Sequence, residues 1–175
     1  SSEVYRGRLF RRPDSELDGE DVVCKVAYRP QAVSCLEHEA EMFFGKLQHL
    51  QGVCIPICYG YFEHKERMDW RSCLVLDYRG EPVKSPLAKL DVDFKALLHA
   101  VTHLHDAGVT HGDLWEENIL DYQGLPMIID LETAAEHKCE RQLDMVEGAP
   151  APSSHDFKCN ELYQFCQNLE YWKPG

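Results

Sequence analysis

The chain opens on alternating apolar and polar positions. Val4-Tyr5-Arg6-Gly7-Arg8-Leu9-Phe10 has the two-residue period of a half-buried strand. Pro13-Asp14 through Asp18-Gly19 carries turn chemistry, so the next run, Asp21-Val22-Val23-Cys24-Lys25-Val26-Ala27-Tyr28, is expected to pair back as a hairpin until Pro30 ends it. From Ala32 to Leu50 the apolar spacing becomes helical. Leu36, Ala40, Phe43 or Phe44, and Leu47 can share one face, and Gln51-Gly52 is the expected stop. Ile55 to Phe62 and Ser72 to Tyr78 then read as two more strands, joined by the charged run Glu63 to Arg71.

Arg79-Gly80-Glu81-Pro82 reads as a linker between two halves, 1–78 and 79–175. Beyond it, Asp91 to Ala107 carries the helical stripe Phe94, Leu97, Leu98, Val101 and Leu104, with Gly108 as its C-terminal stop. An irregular loop begins at Val109. It leads to a short hairpin made of Asn118-Ile119-Leu120, the turn Asp121 to Gly124, and Met127-Ile128-Ile129-Asp130. Glu147 to Ser154 reads as a loop. Asn160 to Tyr171 reads as a last helix, with Leu162, Phe165, Cys166 and Leu169 on one face.

The length of 175 residues and an apolar fraction of 44% suit one soluble domain or two small lobes. No apolar run is long enough to span a bilayer, and no basic-then-apolar signal opens the chain, which also lacks a starting Met. The formal charge of −12 disfavours nucleic acid, and Arg6, Arg8, Arg11 and Arg12 read as a solvated strand and turn. The eight cysteines include no C-x-x-C pair and sit among apolar neighbours. They read as reduced core thiols of an intracellular, cytoplasmic protein, although an even count leaves disulfides formally open. Zinc is set aside, because neither His137-Lys138-Cys139 nor Cys54/Cys58 comes with a second ligand pair at usable spacing.

The chemistry concentrates in His111-Gly112-Asp113-Leu114-Trp115-Glu116-Glu117-Asn118 and in Asp130. An Asp in an H-x-D loop can accept a proton from an attacking hydroxyl. The Asn that follows and the Asp ending the next strand can hold magnesium on ATP phosphates. A lone Asp after Gly is usually a turn or cap residue, but three polar residues at this mutual spacing outweigh that reading. The order strand, strand with Lys, helix with Glu, two strands, hinge, helix, H-x-D loop, hairpin with Asp resembles the protein-kinase-like superfamily. In having Gly at position 112, the loop is similar to aminoglycoside- and choline-kinase-type enzymes. Leu50-Gln51-Gly52 before Ile55-Pro56, and the stretch from Glu161-Leu162-Tyr163 to Tyr171-Trp172-Lys173-Pro174, look like small fungal-type protein-kinase-like domains. The resemblance runs clearly from about Val4 to about Asp130.

This resemblance implies an α+β, two-lobe protein-kinase-like fold with a truncated C-terminal lobe. It also implies a transferase using ATP and Mg²⁺ to phosphorylate a hydroxyl on a protein or a small molecule. By it, Asp113 matches the base and Lys25 the lysine reaching the α- and β-phosphates. Glu39 is the first choice for that lysine's partner, with Glu37 and Glu41 as rivals. Asn118 and Asp130 match the metal ligands, and His111 a structural residue near the site. Leu76 matches the gatekeeper. Asp77 and Arg79 match hinge positions whose main chain pairs with adenine, so their side-chain identities matter little. Val23 and Leu120 match residues that sandwich the purine, with plain core packing as the rival reading of both.

The text departs from the pattern at four places. No G-x-G-x-x-G precedes Val4-Tyr5-Arg6-Gly7. Trp115 stands where protein kinases carry a phosphate-neutralising lysine. Asp130-Leu131-Glu132 replaces D-F-G, which stiffens the segment or adds a carboxylate. The stretch after Asp130 is short and has no A-P-E phrase. The alternative is therefore a pseudokinase, a scaffold that binds ATP or a protein partner without transferring phosphate.

Overall fold

The computed structural model describes residues 2–10, 19–67, 69–87 and 94–173. It is a mixed structure of sheets and four α-helices among the described residues, an α+β composition. It divides into two compact units, Ser1–Arg79 with Asp130–Glu132, and Gly80–Ile129 with Thr133–Gly175. Most of the expected 13–19 turn, and the start of the helix expected from Asp91, lie outside the described residues.

In the first unit, strands β1 (Glu3–Leu9) and β2 (Glu20–Ala27) precede helix α1 (Pro30–Phe44), and strands β3 (Cys58–Glu66) and β4 (Asp69–Asp77) follow it. The sheet order is β1-β2-β4-β3, with every neighbouring pair antiparallel. β2 therefore lies inside the sheet with β4 beside it, pairing Val23 with Leu76 and Lys25 with Leu74. α1 buries Val33, Leu36, Ala40 and Phe43, and Leu74, Leu76, Leu47 and Ile55 are buried in the same unit. Arg6 bonds Asp21 at 3.2 Å and lies 3.8 Å over the Tyr78 ring, so it belongs to the strand surface.

α1 begins as Pro30 dictates, after an extended Arg29, but stops six residues earlier than its apolar spacing suggests. Gly45 ends it, and the expected continuation to Leu50 is instead a 3-10 turn over Gln48–Leu50. A Cβ at position 45 would lie 2.7 Å from the Glu41 carbonyl oxygen. Gln51 then satisfies two backbone groups: its amide donates to Phe43 O at 2.8 Å and its oxygen accepts from Cys58 N–H at 2.9 Å. The charged run after Phe62 is not a connector. It is the hairpin itself, paired out to Glu66 and Asp69, with Lys65 within 2.9 Å of both Glu37 and Glu63. Alternating charges on an exposed face suit strands as well as loops.

In the second unit, β5 (Glu81–Pro82), β7 (Ile119–Tyr122) and β8 (Leu125–Ile128) form one sheet, and β6 (Val109–Thr110) pairs with β9 (Ala135–Glu136). α2 (Phe94–Asp106), α3 (Ser154–Phe157) and α4 (Asn160–Asn168) complete it. The expected linker at Arg79–Pro82 is partly this edge strand, where a proline is tolerated. Gly80, at φ +93°, lets the chain pass where a Cβ would fall 2.1 Å from Asp121 O. The β7–β8 turn is tighter than expected. Gln123 and Gly124 both take positive φ, as a two-residue hairpin turn requires. Leu97, Leu98, Val101 and Leu104 of α2 are buried, as are Ile128, Phe157, Leu162 and Phe165. α4 stops at Asn168 rather than Tyr171. Glu170 turns left-handed at φ 50°, and the Glu170 and Tyr171 N–H groups donate back to Gln167 O and Cys166 O. No helix of the described residues is long and apolar enough to cross a membrane.

Candidate functional site

The residues singled out in the sequence fall into two groups, one in each unit. In the first unit, β2 alternates so that Lys25 points inward, where it is 7% exposed. Its Nζ lies 2.7 and 3.0 Å from the two carboxylate oxygens of Glu39 and 2.9 Å from Asp130 Oδ1. Glu39 is fully buried and also accepts from Leu131 N–H at 3.3 Å. Glu37 instead bonds Lys65, and Glu41 is exposed. Burial alone would lower the Lys25 pKa, but the carboxylates of Glu39 and Asp130 outweigh it, so the ammonium is held above its ordinary value. Asp130 takes φ 66°, a left-handed conformation uncommon for non-glycine residues, though aspartate adopts it more readily than most. Carboxylate oxygens of Glu39, Asp130 and Glu132 lie within 4.8 Å of one another, a hard-oxygen set of the kind that suits magnesium. Ser2 Oγ donates to Glu132 at 3.3 Å.

Val23 is half-buried opposite Leu76. Asp77, next along β4, is committed by its side chain, contrary to the expectation that its identity matters little. Its Oδ1 accepts from Ile57 N–H at 2.6 Å, and its Oδ2 pairs with Arg79 Nε. Its own N–H donates to Ile57 O at 2.9 Å, and Tyr78 N–H donates to Asp21 O at 3.0 Å. A buried carboxylate here closes the end of the sheet. Leu120 belongs to the second unit, buried in β7 opposite Met127 and Pro82.

In the second unit, the loop after β6 is built around His111, which is fully buried. Its Nε2 donates to Ile129 O at 2.9 Å while its Nδ1 accepts the Asp113 N–H at 3.2 Å, which fixes the neutral tautomer. Asn118, in the 3-10 turn Glu116–Asn118, donates from Nδ2 to Asp113 O at 2.9 Å and to Asp113 Oδ2 at 3.0 Å. Asp113 is thereby held half-buried with its carboxylate oriented, and the Asn118 oxygen is the atom with acceptor chemistry for a cation. Trp115 is 53% exposed.

Gly112 has a backbone reason to be glycine. Its φ is +83°, and a Cβ would sit 2.9 Å from Thr133 O. Gly112→Ala is expected to lose about 1–3 kcal/mol of stability. Gly124→Ala is the control: its φ is +84° with nothing within 4 Å of the added Cβ, so it should lose less. Equal losses in chemical denaturation would show that contact with Thr133 does not matter.

Three contributors went unseen in the sequence. Glu161, from the first turn of α4, accepts from His111 N–H at 3.0 Å, from Gly112 N–H at 2.6 Å, and bonds His105 Nε2 at 2.7 Å. Burial would raise its pKa, but hydrogen bonds from His105, Gly112, Thr110 and His111 outweigh this and bring it down to about 2. Thr133 Oγ1 donates to His111 O at 2.9 Å. His105 had one legible signal: it extends the Leu98–Val101 stripe of α2 by one turn, where a buried polar residue needs a partner.

No family model matches the chain. Two curated relatives, from two strains of Saccharomyces cerevisiae and each named probable serine/threonine-protein kinase KKQ8, are 36% identical to it over 102 residues, 53% of this chain. The chain spans 14% of the length of these relatives. This partial match gives the chain a kinase-like relationship.

Proposed function

We propose that the chain carries the nucleotide-handling core of a protein-kinase-like phosphotransferase, with its two units as the two lobes of that fold. It would transfer the γ-phosphate of ATP to a hydroxyl acceptor, a protein Ser/Thr or a small molecule. The observation that carries the reading is the Lys25–Glu39–Asp130 cluster, with Lys25 and Glu39 buried and Asp130 reaching solvent. A lysine held charged among carboxylates on a central strand has little purpose in a plain core, and much in gripping phosphate oxygens. Mg-ATP supplies the transferable phosphoryl group and the cation that neutralises it. Lys25, aimed by Glu39, grips the phosphates. Asp130 would offer a carboxylate oxygen, and Asn118 an amide oxygen, as cation ligands. Asp113 orients the acceptor hydroxyl and takes its proton late, the transition state being loose. Val23 and Leu120, with the main chain at Asp77 and Arg79, are the residues this reading assigns to the purine. An intracellular setting, where ATP is abundant, belongs to this reading.

The test is thermal stability with and without Mg-ATP, followed by a transfer assay. Ligand at about a hundred times its Kd stabilises by roughly 2.7 kcal/mol, a shift expected in the native chain and lost in Asp130→Asn. Asp113→Asn should keep the shift and lose transfer by about 10²–10⁴-fold. No shift with any nucleotide and metal would sink the reading. Trp115, standing where a positive charge would neutralise the moving phosphate, favours a second reading, a nucleotide-binding scaffold without transfer. A shift shared by the native chain and Asp113→Asn, with no transfer by either, would decide for it.

A further inference from the structure

Sequence spacing leaves His137 and Cys139 without a second ligand pair, and the fold of the second unit supplies one. His105 from the end of α2, His137 and Cys139 from the segment after β9, and Cys159 just before α4 each offer one ligand atom, all within 4.8 Å of one another. Cys159 Sγ lies 3.6 Å from His105 Nδ1 and 4.0 Å from His137 Nε2, and the two imidazoles meet edge-on with centroids 5.1 Å apart. Around zinc, with about 2.3 Å to sulfur and about 2.0–2.1 Å to nitrogen, tetrahedral donors stand roughly 3.3–3.8 Å apart. The cluster needs only small side-chain adjustments to reach that geometry.

A second observation points to a metal independently. His105, 2% exposed, has its Nε2 bonded to the Glu161 carboxylate at 2.7 Å. That acceptor places a proton on Nε2, so Nδ1, 3.6 Å from the sulfur of Cys159, is the nitrogen open to a metal. A carboxylate behind the ring is the arrangement that orients a ligating histidine and raises its basicity. Cys159 is also 2% exposed, and His137 and Cys139 are half-buried. Two thiols and two imidazoles are donors for zinc rather than for magnesium or calcium.

We propose that His105, His137, Cys139 and Cys159 form a structural zinc site. On binding, the two thiols release their protons to solvent as thiolates, and no electron is transferred. The ion would join α2, the segment after β9 and the start of α4, elements distant in sequence. Through Glu161, which also holds His111 and Gly112, it would stiffen the loop carrying Asp113. The site does not depend on phosphate transfer, and its test reads metal rather than activity.

The experiment is metal analysis of the reduced chain, then cobalt titration of the chelator-stripped protein. The expected result is about one equivalent of zinc and, with cobalt, the intense visible bands of a tetrahedral site and a sulfur-to-cobalt charge-transfer band, all displaced by zinc. Cys139→Ser and His137→Ala should lose the charge transfer in part and the tetrahedral spectrum wholly, while Cys54→Ser, outside the cluster, should retain both. The proposal is overturned if the reduced native chain gives only the weak spectrum of six-coordinate cobalt. It is equally overturned if the bands survive unchanged in the ligand variants. The native-chain titration decides even where a variant fails to fold.

Discussion

Lys25→Ala is expected to destabilise the first unit by about 3–5 kcal/mol near neutral pH, the range for removing one partner of a buried ion pair. The loss is asymmetric. Removing Lys25 leaves the Glu39 carboxylate, whose side chain is 0% exposed, beside Asp130 with no cation. Removing Glu39 leaves Lys25 with Asp130, whose side chain is 38% exposed and reaches solvent. Glu39→Gln should therefore cost less than Lys25→Ala, and Lys25→Met combined with Glu39→Leu should recover part of the loss. The pH dependence follows from Glu39. Burial raises its pKa, Lys25 lowers it, and Asp130 raises it again, so deleting Lys25 removes the lowering influence. A carboxyl whose folded pKa lies above its unfolded value binds its proton more tightly when folded. The deficit of Lys25→Ala is then full at neutral pH and shrinks as pH falls through the raised pKa toward the ordinary carboxylate range. Urea denaturation at a series of pH values measures this. A deficit independent of pH would mean that Glu39 is solvated or re-paired in the variant.

The choice among three glutamates shows what was legible. Glu39 stands three residues after Leu36 and four before Phe43, on the same helical face as both, whereas Glu37 is turned toward Lys65. The periodicity that placed the helix could have selected its buried carboxylate. Period also carried α2, whose buried Leu97, Leu98, Val101 and Leu104 record the face it packs. β1 was found by its alternation but is not half-buried, since Val4 and Tyr5 are exposed and pairing with β2 holds the strand. Period failed where other physics sets the limits. α1 ends at Gly45 because Gln51 takes over a helix carbonyl across a turn, and β6 and β9 are two-residue strands too short to have a period.

The site divides along the same line. Within HGDLWEEN the hydrogen bonds join residues up to five positions apart, so the spacing of His111, Asp113 and Asn118 contains most of the geometry. Glu161 lies 50 positions from His111 and 56 from His105, and one Glu in a helix's first turn is too common a pattern to signal anything. The four ligand atoms around Cys159 are equally scattered along the chain. Tertiary closure creates such a cluster, and a motif search cannot find it.

Glu161→Ala carries the second large effect, a loss of roughly 3–5 kcal/mol that is also felt at the Asp113 loop. One carboxylate serves His105 and the His111 and Gly112 amides, and these donors pull its pKa down to about 2, so it is ionised throughout the neutral range. Hydrogen bonds to a charged group contribute about 1.5–3 kcal/mol each, and donors left unpaired incur their desolvation cost. Gln cannot substitute well, since it replaces one acceptor oxygen with an NH₂ that would oppose an N–H. Leu162→Ala is the control. Leu162 is the next residue in α4, fully buried, and its truncation should cost a comparable ~2–5 kcal/mol without touching the loop. Hydrogen exchange separates the two variants. In Glu161→Ala the His111 and Gly112 amides should exchange faster than global unfolding explains, while in Leu162→Ala their exchange should track the fall in global stability. If both variants exchange alike at those amides, Glu161 holds the unit together but does not position the loop. The same comparison in a transfer assay should then show the folded fraction of Glu161→Ala as active as the native chain.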